Sequence, residues 1–180
     1  MKTLTLLRHA KSSWDGSAAT DFDRRLSKRG HEAARTMGRE LKAQGLEFDA
    51  AIASPAARVV ETVEDLAEGY GSPIRPSFDQ RLYLGSVATL LAVVQEADDS
   101  AERLLIIGHN PGLEGLALLL TRDDGDGLRR EMGVKYPTAT VAEIVLPIDH
   151  WRDAAAGSGK LARFIRPRDL DPELGPEEGS

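Results

Sequence analysis

The stretch that decides the fold is RLLIIGHNPG, residues 103–112. It opens with an apolar, β-prone run of the length of a buried strand, which stops at Gly108. His109 comes next, and the Asn110-Pro111 pair after it is typical of the start of a helix. A strand that passes directly into a helix is the repeating unit of a parallel α/β sheet.

The same pattern occurs twice earlier in the chain. Residues 4–7 form a short apolar run, after which come Arg8 and His9. Residues 49–53 form a second run, after which Pro55 is predicted to occupy the first position of a helix. This alternation predicts an α/β fold, a three-layer α/β/α sandwich with a mostly parallel central sheet.

Weaker signals complete the predicted layout. The remaining predicted elements are a helix capped by Ser27 and stopped at Gly45, a helix capped by Ser86, an edge strand within residues 73–84, a loop over 122–137, and strands over 139–146 and 160–165. Residues 168–180 are rich in Pro and Gly and predict a flexible tail, which leaves residues 1–167 as a single domain.

Composition excludes several classes of function. The chain of 180 residues contains no cysteine, so a disulfide framework, a Cys-ligated metal and a cysteine nucleophile are ruled out. The net charge of −6 argues against nonspecific binding to nucleic acid or to a membrane surface. No apolar run has the roughly 18 residues that span a bilayer, and the N-terminus lacks the pattern of a signal peptide, so a cytoplasmic location is expected.

The predicted strand ends carry side chains suited to a phosphate. Parallel strands bring their carboxyl ends to one edge of the sheet, so Arg8, His9, Arg58 and His109 are expected to converge there. Guanidinium groups hold phosphoryl oxygens bidentately, and an imidazole can act as a nucleophile or as a general acid and base. These groups need no metal or cofactor to bind a phosphate, and none is predicted.

Four segments resemble the histidine phosphatase superfamily, the phosphoglycerate-mutase-like group. Residues 6–15, LLRHAKSSWD, resemble its N-terminal signature, with Ala10 in place of the usual Gly, so the backbone there must avoid positive φ. Arg-His-Ala followed by Lys-Ser-Ser-Trp is similar to the SixA-type phosphohistidine phosphatase branch. Residues 23–30, 54–62 and 107–112 resemble the loop into the first helix, the Ser-x-x-x-Arg-x-x-x-Thr helix start and the second-histidine motif. The likeness spans residues 3–167.

The resemblance implies roles for individual residues. His9 is the expected nucleophile that accepts the phosphoryl group, with Arg8, Arg58 and His109 binding and neutralising its oxygens. Water then hydrolyses the phosphohistidine formed on His9, and His109 takes part in catalysis.

Two loop residues have open roles. Ser12 either donates to the phosphate or is a solvated loop serine. Asp15, which stands where mutase relatives have Asn, either orients Arg8 or a substrate group or lies in solvent.

The absence of one acid directs the choice of substrate. Residues 78–84 contain no Glu at the place where many members that cleave phosphate esters have a proton donor, and Asp79 is the nearest acid. An alkoxide leaving group needs such a donor, whereas an imidazole can be protonated near neutral pH. The predicted reaction is hydrolysis of phosphohistidine on a partner protein, through a covalent phosphohistidine enzyme intermediate.

Two alternatives stay open at this point. One is a phosphatase that acts on small phosphate esters or anhydrides, and the other is a noncatalytic module that binds a phosphorylated ligand. The connections between elements are too short for a cap domain that would enclose a small metabolite, which favours a protein substrate. No oligomeric state is indicated.

Overall fold

The computed structural model describes residues 1–175. Its strands are β1 (Lys2–Arg8), β2 (Ala50–Ala53), β3 (Ser77–Phe78), β4 (Arg103–Gly108), β5 (Val141–Leu146) and β6 (Lys160–Ile165). Its α-helices are α1 (Lys28–Ala43), α2 (Ala57–Tyr70), α3 (Val87–Gln95), α4 (Gly112–Leu120), α5 (Leu128–Val134) and α6 (Pro167–Leu170). Among these, no helix is both long enough and apolar enough to cross a membrane.

The strands form one sheet in the order β3-β2-β4-β1-β5-β6. β1, β2, β3 and β4 pair in parallel, whereas β5 pairs antiparallel with both β1 and β6. Five of the six strands therefore run in one direction, and β3 and β6 are the two edges. The predicted mostly parallel sheet is confirmed.

Each face of the sheet is covered by its own helices. Leu41 of α1 and Leu66 of α2 are fully buried in the core on one face. Leu90 of α3, Leu116 of α4 and Met132 of α5 are buried in the core on the other face. The protein is thus the predicted three-layer α/β/α sandwich.

Two predicted helix caps are confirmed. The Ser27 hydroxyl accepts a hydrogen bond from Gly30 N (3.1 Å), and the Ser86 hydroxyl accepts one from Thr89 N (3.2 Å). Each bond satisfies an amide that the first turn of a helix would leave without an acceptor.

The start of α2 differs from the prediction. Pro55 is not at the first helical position, because α2 begins at Ala57. The Ser54 hydroxyl accepts a hydrogen bond from Ala56 N (3.3 Å), and such local bonds hold the backbone in a turn rather than a helix. As a consequence Arg58 lies in the first turn of α2, close to the end of β2.

The prediction of a loop over residues 122–137 is wrong in part, because this segment contains α5. Gly127 precedes the helix with a φ of 86°, a left-handed conformation that glycine adopts without strain. α5 has only seven residues, too few for a clear periodic signal, and its stability comes from the burial of Met132.

The segment predicted as a flexible tail is structured as far as residue 175. A 3-10 turn over Pro172–Leu174 comes after α6, and the Arg29 guanidinium of α1 donates to Gly175 O (2.8 Å). Leu174 packs on the apolar cluster that includes Ala33. Contacts with α1 hold this segment in place, and such contacts leave no periodic pattern in the sequence. The rest of the predicted tail, residues 176–180, lies outside the described residues.

Candidate active site

The site lies at the carboxyl edge of the sheet, where β1 and β4 end side by side. Arg8 pairs in register with Gly108, and His9 N donates to Gly108 O (3.0 Å). Ser54 N, directly after β2, donates to Ile107 O (3.0 Å). These backbone bonds hold the three strand ends level, so the side chains just beyond them meet.

His9 is positioned with one ring nitrogen available for chemistry. Its Nδ1 lies 2.6 Å from Ala10 O, and because a carbonyl oxygen only accepts, Nδ1 carries the proton. The lone pair is then on Nε2, which lies 3.4 Å from the Nε donor of Arg58. Burial lowers the pKa of His9 from 6.5 to about 3, so the ring is neutral and nucleophilic near pH 7.

His109 faces His9, with the two ring centres 5.2 Å apart. Its Nδ1 accepts from the Arg58 guanidinium (3.4 Å), so Nε2 carries the proton that is donated to the Ser54 hydroxyl (2.7 Å). Burial is the main cause that lowers the pKa of His109 from 6.5 to about 4, and the charge of Arg58 lowers it further. A second neutral imidazole therefore stands beside the first.

Arg58 links both histidines to an acid. Its guanidinium donates to Asp21 O (2.7 Å) and to Asp21 Oδ2 (3.1 Å), and it contacts both imidazole rings. The Tyr83 hydroxyl also donates to Asp21 Oδ2 (2.7 Å). The pKa of Asp21 is lowered to about 2, most strongly by the hydrogen bond from the Tyr83 hydroxyl and then by those from Arg24 and Arg58. Asp21 is therefore ionised near neutral pH and holds the guanidinium plane in place.

Arg8 presents a buried donor without an acceptor. One guanidinium nitrogen donates to Tyr136 O (3.0 Å), whereas Nε is buried and has no hydrogen-bond partner within residues 1–175. Burial lowers the pKa of Arg8, but a guanidinium stays charged in proteins. The positive charge of Arg8 also contributes to lowering the pKa of His9.

Thr62 joins the loop after His9 to α2. Its hydroxyl donates to Arg58 O (2.6 Å) and accepts from Ala10 N (3.0 Å). Ala10 is fully buried and does not have positive φ, as the sequence predicts for a residue with a Cβ. One side chain thus fixes His9 and Arg58 relative to each other.

The two loop candidates have different outcomes. The Ser12 hydroxyl accepts from the guanidinium of Arg24, which also pairs with Asp21 (2.9 Å). Ser12 is thus connected to the site through Arg24. Asp15 is exposed, accepts from the amide and hydroxyl of Ser17, and is not brought into this cluster.

Asp79, the nearest acid by sequence, serves as a cap. Its Oδ1 accepts from Arg81 N (2.9 Å) at the start of the 3-10 turn over Gln80–Leu82, and its carboxylate pairs with the Arg81 side chain (2.8 Å). The turn and the ion pair account for the Asp79 side chain.

The sequence assigns no role to Asp21, Ser54 or Tyr83, although all three contact residues of the site. Asp21 lies in a 3-10 turn over Asp21–Asp23, inside a loop that has no periodicity. The one available signal was chemical, because a buried arginine needs a carboxylate. Ser54 stands in a recognised motif, but its contact with His109 depends on the register of two strands that are far apart in sequence.

The arrangement is suited to a tetrahedral oxyanion. The Arg58 guanidinium contacts the neutral imidazoles of His9 and His109, and all three residues are buried. Arg8, at the end of β1, adds a second guanidinium at the same edge of the sheet. Fixed donors of this kind stabilise charge that develops during phosphoryl transfer. Within residues 1–175, the His, Asp and Glu side chains form no group suited to hold a metal ion.

Comparisons with known proteins agree with this geometry. The sequence profile described as "Histidine phosphatase superfamily (branch 1)" matches residues 4–82. An uncharacterised protein of Mycobacterium tuberculosis is 31% identical over 164 residues, which cover 90% of this chain and 100% of the relative.

Solved structures share the fold over almost the whole chain. A candidate phosphohistidine phosphatase SixA from Nakamurella multipartitia superposes with a TM-score of 0.79 at 28% identity, covering 92% of this chain and 96% of that one. A protein histidine phosphatase SixA complexed with tungstate has a TM-score of 0.76 at 23% identity, covering 94% and 99% of the two chains, and its likeness concerns the fold.

Proposed function

Since this chain belongs to the histidine phosphatase superfamily, in its SixA-type branch, we propose that it is a phosphatase that hydrolyses phosphohistidine on a partner protein. The observation that carries the proposal is His9. It is a buried, neutral imidazole whose Nε2 lone pair faces the Arg58 guanidinium at 3.4 Å.

The first step transfers the phosphoryl group to His9. The Nε2 lone pair attacks phosphorus, the P–N bond to the substrate imidazole breaks, and that bond's electron pair returns to the substrate nitrogen, which takes a proton from solvent. Arg8 and Arg58 hold the oxygens of the group in transit, and His109 adds a further contact. Positioning and electrostatic stabilisation supply most of the catalysis in such a transfer.

The second step returns the enzyme to its starting state. A water molecule attacks the phosphorus of phospho-His9, the P–N bond breaks towards Nε2, and inorganic phosphate leaves. His109 takes a proton from that water through its unprotonated Nδ1, since its ring lies next to His9, and then passes the proton to solvent, which restores the neutral imidazole.

The state of Asp21 supports phosphohistidine over phosphate esters. This carboxylate contacts Arg58, yet its pKa of about 2 keeps it ionised, so it has no proton to give to an alkoxide near pH 7. A substrate imidazole has a reference pKa of about 6.5 and accepts a proton readily in neutral water. Ester cleavage should therefore be slow at this site.

The test compares turnover of two classes of substrate by the wild-type protein, one catalytic variant and one control variant. Wild-type protein is assayed on a phosphohistidine-bearing protein and on a panel of phosphate esters, beside His9→Ala and the control His150→Ala. His150 is exposed and contacts Asp99, so its variant should keep normal turnover. His9→Ala should lose roughly a thousandfold or more in kcat, because it lacks the nucleophile, while tungstate binding is partly retained.

Two outcomes would contradict the proposal. Ester turnover far above phosphohistidine turnover would reject the substrate, and near-normal rates for His9→Ala would reject the covalent step. If no substrate turns over while tungstate still binds, the noncatalytic alternative is supported instead.

A further inference from the structure

A cavity lined in part by Arg8 is strongly basic. Its volume is about 250 Å³. Among residues 1–175, six of the side chains that line it are cationic and none is acidic, in a chain whose net charge is −6. The cationic residues of this basic cavity are Arg8, Lys11, Arg29, Lys135, Arg166 and Arg168.

The topology of the sheet places the basic cavity at the same edge as the histidines. β6 runs parallel to β1, so Arg166 lies just beyond its carboxyl end at the level of Arg8. β5 runs in the opposite direction, so Lys135 and Thr138, which precede it, lie at this edge as well. Arg8 belongs both to the basic cavity and to the candidate active site. A ligand that holds a phosphoryl group at His9 can therefore extend over the cavity.

The charges of the basic cavity are not all neutralised by the described part of the protein. Arg166 pairs with Glu131 (2.5 Å) and Asp169 (3.0 Å). Lys135 and Arg168 are exposed and form no ion pair with residues 1–175. The Arg8 Nε is buried without an acceptor in the same part of the chain. A cluster of this sign raises the local concentration of anions.

The walls of the cavity indicate what kind of anion fits. Ala33, Pro137 and Leu174 contribute apolar surface between the cationic groups. A glutamate side chain combines a hydrocarbon stem with a terminal carboxylate, which suits walls of this mixed character. A guanidinium binds a carboxylate bidentately, with the geometry that it also uses for phosphate.

We propose that the basic cavity binds acidic side chains of the protein substrate that lie next to its phosphohistidine. This inference rests on the proposed function and specifies its substrate class, a phosphohistidine protein with carboxylates flanking the modified residue. The enzyme would select such partners by these contacts in addition to the phosphoryl group itself.

The first test measures binding without catalysis. A labelled hexaglutamate peptide is titrated into the wild-type protein, Lys135→Glu/Arg168→Glu and the control Arg122→Glu/Arg152→Glu. Both double variants change the net charge equally. Arg122 and Arg152 are exposed and lie at the end of the strands away from the histidines, where Arg122 N donates to Gly159 O, just before β6. The cavity variant should bind the peptide roughly tenfold more weakly at low salt, and the control should bind like the wild type. Thermal melting verifies folding, and the single variant Lys135→Glu, in an exposed loop, serves if the double variant melts early.

The second test separates this inference from the proposed function. kcat/KM is measured on a phosphohistidine protein with acidic flanking residues, on the same protein with those residues changed to glutamine, and on free phosphohistidine. The cavity variant should lose several-fold more activity on the acidic protein than on free phosphohistidine.

Each result decides between the possibilities. Hexaglutamate that fails to bind, equal weakening in both double variants, or binding of inorganic phosphate alone at this cavity overturns the inference and leaves the proposed function intact. Absence of turnover on all three substrates overturns the proposed function, while the peptide titration still reports on the basic cavity.

Discussion

At the scale of single residues, Asp21 determines how Arg58 is presented. Its backbone carbonyl and its carboxylate both accept from the guanidinium, which leaves the Arg58 Nε to face His9. In the proposed reaction, a guanidinium held in this way does not have to be ordered when the phosphoryl group arrives, and such preorganisation lowers the barrier to transfer. Asp21 is therefore a positioning residue.

The variant Asp21→Asn tests this role. The amide keeps the shape of the side chain but weakens its hold on Arg58, so kcat should fall by roughly tenfold. KM should stay constant or decrease, since a negative charge near the phosphoryl site is removed. Steady-state kinetics of Asp21→Asn and of the control Asp23→Asn, an exposed residue of the same 3-10 turn, provide the measurement. A higher KM at unchanged kcat would contradict a positioning role.

Residues at the ends of strands are more predictable from sequence than residues in irregular loops. His9 and His109 can be found because each comes directly after an apolar run, and strand ends converge in a parallel sheet. Asp21 and Tyr83 cannot be found in this way, because the hydrogen bond between them depends on the path of two irregular segments. Asp15 shares a motif with His9 yet turns to Ser17, since proximity in sequence does not fix the direction of a side chain in a loop.

At the scale of elements, α1 and α2 approach each other with backbone against backbone. A Cβ added to Gly38 of α1 would overlap the carbonyl oxygen of Leu66, and one added to Gly69 of α2 would overlap that of Arg35. Both contacts involve backbone atoms, which cannot swing aside as a flexible side chain can. The close approach lets α1 and α2 cover one face of the sheet as a single layer.

Gly38→Ala should therefore destabilise the protein, by roughly 2–4 kcal/mol, since the two helices must separate. Gly133→Ala in α5 is the matched control. Its new Cβ would lie 3.7 Å from Leu118 Cδ2, an ordinary contact, and alanine is favoured over glycine in a helix by up to about 1 kcal/mol. Urea unfolding of both variants gives the comparison, and a Gly38→Ala protein as stable as the wild type would refute the close packing.

Elements can be predicted where local signals and tertiary packing agree. α1 and α3 have serine caps and periodic apolar residues, and the sequence predicts both. It does not predict α5, because that segment has few helix signals of its own and the burial of Met132 stabilises it. The segment from Pro167 to Gly175 likewise has few structural signals of its own, so its sequence has the pattern of a flexible tail. Contacts with α1 hold it in place.

At the scale of the whole molecule, two buried neutral histidines couple folding to pH. His9 and His109 have folded-state pKa values of about 3 and about 4, below the 6.5 of an unfolded imidazole. The unfolded chain therefore binds more protons, and the free energy of unfolding falls as pH decreases below 6.5. The loss continues until the folded-state pKa values are reached.

Between pH 7 and pH 5 each histidine should cost roughly 2 kcal/mol of stability. The double variant His9→Gln/His109→Gln should show a much flatter dependence, because glutamine does not titrate. Denaturant unfolding at the two pH values measures the difference, with His150→Gln as the control at an exposed histidine. A wild-type protein equally stable at both pH values would contradict the neutral, buried state of the pair.

The two edge strands of the sheet limit the ways in which this protein can bind another protein. β3 offers only the two residues Ser77–Phe78, and β6 exposes the charged side chains of Lys160 and Arg163. Short or charged edge strands are poor templates for hydrogen bonding with a strand from another chain. We therefore expect that the protein substrate of the proposed function is not bound by β-augmentation, in which a strand of the partner extends the sheet. Under the proposed function, recognition would rest on side chains at the carboxyl edge, and the partner would keep its own fold intact while it presents its phosphohistidine.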